Sequence, residues 1–163
     1  MHSALECGSI LKQTIKMIFL AADHRGFMLK EKIKTWLKEW GYDYEDMGAF
    51  ELDPSDDYPV YAKKVAESMV ELDDRGIIVC GSGVGVDEVA NKFDGIRSGL
   101  AISKEQVHSA RNDDNINVLA LASEFTSEED AEEIVRVFLE TEFADEERFN
   151  RRLDQIGEIE DSN

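Results

Sequence analysis

Cys80 stands directly ahead of a glycine-rich turn, Gly81-Ser82-Gly83-Val84-Gly85, and directly after the wholly apolar run Ile77 to Val79. A short β-branched run of this kind predicts a strand buried on both faces. Val86 to Lys92 then predicts a helix after the turn. The thiol would sit at the carboxyl end of a strand beside a helix amino terminus, where free N–H groups suit anions. Such a position supports both a thiolate and a developing oxyanion. A buried cysteine commonly serves only as a small hydrophobe, but the glycine turn favours chemistry at Cys80. The turn is neither a Walker A sequence, lacking Gly-Lys-Ser/Thr, nor the dinucleotide fingerprint, which belongs after a first strand.

Asp23-His24 follow the apolar run Met17 to Ala22. Asp23 could cap the next helix, and His24 at a strand end suits phosphate binding or proton movement. Arg148 and Arg152, spaced i,i+4 in an acid-rich tail, can present two guanidinium groups on one helix face to a phosphate. Arg151 is read as a partner for nearby carboxylates, Asp87-Glu88 as acids opening a helix, and His108 as a surface residue. Asp113, Asp114 and Asn115 resemble metal-ligand material, but no histidine or cysteine cluster accompanies them in sequence, so no metal and no cofactor is expected.

The elements that must position these groups alternate along the chain. Strands are predicted at Met17–Ala22, Tyr42–Met47, Ile77–Cys80, Ser98–Ile102 and Asn117–Ala122. Between them lie helices at Gly26–Trp40, around Tyr61 to Met69, after the glycine turn, and from Ser103 to about Arg111 with a Ser103/Gln106 capping box. Ser127 with Asp130 caps a helix carrying Ala131, Ile134, Val135, Phe138 and Leu139, and a short final helix holds the arginines. Glu51–Pro59 reads as a loop containing both prolines. Strands separated by helices imply right-handed βαβ units and a parallel sheet covered on both faces. Ligands of such sheets bind beyond the carboxyl ends of the strands, where Asp23-His24 and Cys80 to Gly85 both fall.

The chain's 163 residues suit one domain with a proper core. Residues 1–16 read as an extension outside the fold and 17–163 as a single domain, with Met17 an alternative start. The two cysteines, Cys7 and Cys80, make no disulfide framework and suit a reducing cytoplasm. No apolar run approaches the ~20 residues that span a membrane, and Met17–Ala22 is too short for a signal sequence. A net charge of −18 argues against a nucleic-acid surface. From Glu124 to Asn163 there are fifteen acidic residues and four arginines, so the arginines at 148, 151 and 152 stand out.

Together these residues resemble the ribose-5-phosphate isomerase type B family, which includes the galactose-6-phosphate isomerase subunits. The landmarks are Ala22-Asp23-His24-Arg25-Gly26 with Leu29-Lys30, Asp57-Tyr58-Pro59, and Cys80 to Gly85. Ala90-Asn91-Lys92, Gly95-Ile96-Arg97, Asn117 to Ala120, and Arg148 to Arg152 complete them, over Met17 to about Ile156. The resemblance implies a Rossmann-like three-layer αβα sandwich with a five-stranded parallel sheet, acting as a homodimer or dimer of dimers with the cleft shared between subunits. It implies metal-free interconversion of an aldose phosphate and a ketose phosphate through an enediolate. Cys80 matches the base of one branch; the other branch uses glutamate where this chain has Val86. Asp23, His24, Tyr58, Gly81, Ser82, Gly83, Val84 and Gly85 would contact substrate, and Arg148 and Arg152 would bind phosphate.

Four departures accompany the match. Asp113 aligns with the family's ring-opening histidine, Asp114 with a substrate-binding asparagine, and Glu124 with a phosphate-binding arginine. Phe149 also replaces a histidine between the late arginines. An aspartate can move protons, so Asp113 is the expected second catalytic residue. A carboxylate at Glu124 repels phosphate, so either its side chain turns away or the substrate is held differently. Ribose 5-phosphate is the leading substrate. The alternatives are a six-carbon or modified sugar phosphate, and a catalytically silent sugar-phosphate-binding subunit.

Overall fold

A computed structural model describes residues 14–163. Cys7 and most of the 1–16 extension therefore lie outside the described residues. Of that extension, Ile15 packs against the core and the Lys16 N–H donates to Asp73 O at 3.1 Å.

The chain forms β1 (Ile18–Ala22), α1 (Phe27–Glu39), β2 (Tyr44–Asp46), α2 (Tyr58–Ser68), β3 (Arg75–Cys80) and α3 (Val84–Ala90). It continues through β4 (Ser98–Leu100), α4 (Lys104–Asp114), β5 (Val118–Ala122), α5 (Glu128–Glu140) and α6 (Glu147–Asp161). All strand pairings are parallel, in the order β2-β1-β3-β5-β4. The central strands β1, β3 and β5 are buried at every position, as their continuous apolar runs require. Side-chain alternation divides the core in two. Leu20, Ile77, Val79, Leu119 and Leu121 meet α1, α4 and α5, while Phe19, Ile78, Cys80, Val118 and Ala120 meet α2 and α3. The result is the expected three-layer αβα arrangement.

Local differences from the sequence reading have simple causes. Pro59 lies inside the first turn of α2 rather than in the loop, because a missing N–H costs nothing there. Gln106 does not close its capping box on Ser103: its Oε1 accepts from Ile102 N–H, while Ser103 Oγ accepts from Gln106 N–H. Helix α4 runs on to Asp114 and stops at Asn115, which takes the left-handed conformation (φ 48°). The final helix is not short; α6 has 15 residues yet buries only Phe149.

Candidate active site at the carboxyl edge of the sheet

The ends of three adjacent strands are stitched together by backbone bonds. Asp23 N–H donates to Val79 O at 3.3 Å, joining the end of β1 to β3. Ser123 N–H and Glu124 N–H each donate at 3.0 Å, to Cys80 O and Gly81 O, joining β5 to β3. Cys80, between them, is 4 % exposed. Its side chain points to the α2/α3 side, and Gly83 N–H donates to Sγ at 3.2 Å. Gly83 holds a positive φ of 73° that turns the loop into α3. A seven-residue helix has little macrodipole, so the loop N–H groups are the main fixed donors here.

Gly81 and Gly85 are glycines because side chains lie against them. A Cβ at Gly85 would come 2.6 Å from the Tyr58 ring, and one at Gly81 would come 2.5 Å from the Arg25 guanidinium carbon. Tyr58 is thereby set beside the loop that follows Cys80. Val84 is largely exposed as the first residue of α3, and Ser82 Oγ accepts from Val84 N–H at 3.3 Å.

Asp23 is 3 % exposed, and its Oδ1 accepts from Arg25 N–H and Gly26 N–H at 3.0 Å each. It organises the turn into α1, which leaves His24 at the rim. His24 is held by Asp56, a residue that sequence reasoning missed. Asp56 Oδ1 lies 2.6 Å from His24 Nδ1 and accepts from His24 N–H at 2.9 Å. This hydrogen bond is the main reason the imidazole pKa is raised; burial opposes it and the charge of Asp23 adds to it. Nδ1 being committed, Nε2 is the nitrogen left to meet a ligand. Burial, then the Asp56 carboxylate, pushes the Tyr61 phenol up as well. Asp23, His24 and Asp56 carry possible metal-ligand atoms within 4.8 Å of one another. The bonds just described already engage Asp23 Oδ1, Asp56 Oδ1 and His24 Nδ1; Asp56 Oδ2 is buried with no hydrogen-bond partner.

Arg25 was missed too. Its Nε donates to Glu124 Oε1 at 2.6 Å and its Nη2 to Glu124 Oε2, a bidentate pair. The doubt about Glu124 is resolved in part: its carboxylate is turned onto Arg25.

The remaining expected residues lie elsewhere. Asp113 and Asp114 occupy the last turn of α4, ahead of β5, whereas Cys80 pairs with Ala122 at its far end. Four residue steps of β5, about 13 Å, separate the two edges. Asp113 Oδ1 accepts from Asn112 Nδ2 at 2.8 Å. Arg148 and Arg152 lie on α6 at the same amino edge: Ala144 N–H donates to Asn112 O at 3.1 Å, and Glu160 Oε2 accepts from Gly95 N–H at 3.0 Å. Their guanidinium carbons are 4.5 and 6.0 Å from the Phe149 ring centre, and Arg148 also pairs with Glu146 at 2.8 Å. Within one chain the expected site is thus split between the two edges. Asp87 is structural, as expected: burial raises its pKa, and its Oδ1 accepts from Ser98 Oγ at 2.6 Å.

The ribose/galactose isomerase family matches residues 18–156. The chain belongs to this family. It is 35% identical over 144 residues to ribose-5-phosphate isomerase B of Mycolicibacterium paratuberculosis, covering 88% of this chain and 91% of the relative. Among solved structures it resembles ribose-5-phosphate isomerase B of Clostridium thermocellum, with TM-score 0.85, 35% identity, and 90% and 98% of the two chains covered. It also resembles the Mycoplasma genitalium enzyme with bound ribulose 5-phosphate, with TM-score 0.83, 37% identity, and 92% and 100% covered. Among the described residues, no helix of this family member is long and apolar enough to cross a membrane.

Proposed function

We propose that the chain interconverts ribose 5-phosphate and ribulose 5-phosphate, with Cys80 as the base, at a site built from two copies. The observation that carries this reading is the Cys80 thiol at the junction of three stitched strand ends, under a loop of backbone N–H groups, in a chain of the isomerase family. With the sugar open, the thiolate removes the proton on the carbon beside the carbonyl, and the electron pair moves to the carbonyl oxygen. The resulting enediolate is held by N–H groups of Gly81 to Gly85. The same sulfur returns the proton to the former carbonyl carbon while the neighbouring hydroxyl's proton passes to the former carbonyl oxygen, completing the aldose-to-ketose change. His24, fixed by Asp56, and Tyr58, fixed against Gly85, contact the sugar hydroxyls.

A second copy supplies what one chain keeps at its other edge. Arg148 and Arg152 of that copy hold the phosphate, Asp113 moves the ring-opening proton, and Asp114 contacts the sugar. Two features support pairing of copies. Helix α6 leaves Ile156 and Ile159 exposed at 47% and 63%. Beside it, a cavity of 440 Å³ lined by Leu100, Ala110, Ile116 and Ile156 runs along the edge strand β4. An apolar helix face next to an open strand edge suits a symmetric homodimer. A free thiol base also needs a reducing compartment, and we place the protein in the cytoplasm, in pentose phosphate metabolism.

The test is conversion of ribose 5-phosphate by the purified protein and by Cys80→Ala. Turnover lost in the variant supports the reading; equal turnover in both overturns the base. The departures at Asp113 and Glu124 favour a second reading, the same chemistry on a six-carbon sugar phosphate. That reading is selected if only a six-carbon aldose phosphate is converted. A chain that converts neither but binds sugar phosphate is the silent subunit.

A further inference from the structure

The Arg25–Glu124 pair has an unusual position. The sheet order places β3 between β1 and β5, and Arg25 follows β1 while Glu124 follows β5. The pair therefore crosses over the end of β3, directly above the peptide that follows Cys80. Gly81 makes the crossing possible, since a Cβ there would stand 2.5 Å from Arg25 Cζ and Nε. Ser123 Oγ ties the two loops, its single proton lying within reach of Arg25 O at 2.8 Å and Cys80 O at 3.1 Å. The hydrogen bond that Arg25 donates to Glu124 raises its pKa, with smaller contributions from the charges of Asp23 and Cys80.

The backbones are pinned, but the side chains are reachable: Arg25 and Glu124 remain 49% and 43% exposed. A half-exposed ion pair is weak because water screens it. A dianion offers the guanidinium fork a stronger partner than a single carboxylate does. In a chain of net charge −18, an anion entering here also meets general repulsion.

We propose that Arg25 is a further anion-binding residue at the mouth of the Cys80 site, beside Arg148 and Arg152 of the second copy, and that Glu124 is its built-in competitor. An anionic ligand takes the guanidinium fork from Glu124, and Glu124 swings into solvent. This arrangement selects ligands by charge: a phosphate dianion displaces Glu124, whereas a monoanionic carboxylate gains nothing over the one already there. It rests on the reading of the carboxyl edge as the sugar-phosphate site, and it adds a discriminating pair to that site.

The experiment is calorimetric titration of inorganic phosphate into the wild type, Glu124→Gln, Arg25→Gln and the double variant, with acetate as the monoanion control. Glu124→Gln is expected to tighten phosphate by about three- to fivefold, the scale of an exposed ion pair. Arg25→Gln is expected to lose binding at this site, and the double variant to bind no better than Arg25→Gln. Acetate is expected to gain little in any protein. If Glu124→Gln tightens phosphate equally in the Arg25→Gln background, simple loss of negative charge explains it and the proposal is overturned. Phosphate affinity unchanged in Arg25→Gln overturns it as well. Arg25→Lys, which keeps the charge without the fork, guards against a folding artefact and should bind at an intermediate level. Ribose 5-phosphate turnover by the wild type separates the two ideas. Arginine-dependent phosphate binding without turnover fails the isomerase reading only, and turnover with arginine-independent binding fails this one only.

Discussion

At the carboxyl edge of the sheet the chemically useful groups are fixed by bonds between strand ends, whereas at the amino edge they ride on helix surfaces. Cys80, Asp23 and His24 are each held by a named backbone or carboxylate partner. Among the described residues, Arg148 and Arg152 lie against Phe149, and Arg148 also pairs with the exposed Glu146. Beneath that edge lie three buried or partly buried arginines, 75, 97 and 111; burial and mutual repulsion lower Arg111 to about 9. Arg111 donates to Thr141 O and Ile116 O, so these charges hold backbone in place. The difference teaches that one edge fixes its polar groups through bonds between strand ends, while the other leaves its arginines on an exposed helix face, where the proposed second copy would meet them.

The sharpest way to break this comparison is Cys80→Ala, expected to lower turnover by at least about a thousandfold, as loss of a general base does. Next is a mixing experiment on the shared site. Cys80→Ala and the Arg148→Ala/Arg152→Ala double variant should each be inactive alone. Mixed and allowed to reassociate, they should recover about a quarter of wild-type turnover, since half the dimers are mixed and each has one whole site. No recovery would return both edges to a single chain and end the comparison. Ile156→Asp with Ile159→Asp should then convert the protein to a monomer in sedimentation and remove turnover while leaving the carboxyl edge folded.

A smaller effect sharpens the preorganised side. Asp56→Asn should lower the His24 pKa, read by proton NMR, and reduce kcat/KM by roughly tenfold. The sign for stability follows from the raised pKa. The His24–Asp56 contribution is complete below the unfolded histidine value and disappears as pH rises through the folded one. In Asp56→Asn that pH dependence should flatten.

The sequence pattern made the strand-helix alternation, the central strands and the Cys80 loop legible, because buried parallel strands and glycine turns are local signals. Asp56 was not legible: it is one of four acids in Glu51–Asp57, and only the tertiary fold brings it to a histidine 32 residues away. Arg25 and Glu124 were hidden by a separation of 99 residues, although Arg25 stood inside a recognised motif. The edge on which Asp113 lies was not a local signal either: a crossover helix runs back along the sheet and delivers its last turn to the edge opposite Cys80 of the same chain. The length of α6 was underread because Gly157 weakens its helical signature.

The slight exposure of Cys80 also bears on how long such a protein stays active. Oxidation of cysteine to sulfenic and higher acids needs a thiolate that an oxidant can reach. Here the sulfur is covered by the loop that follows it, and a sugar lying in the mouth would close the rest of the approach. On the proposed reading, bound substrate would act as a shield: peroxide should inactivate the protein slowly, and more slowly still when sugar phosphate is present.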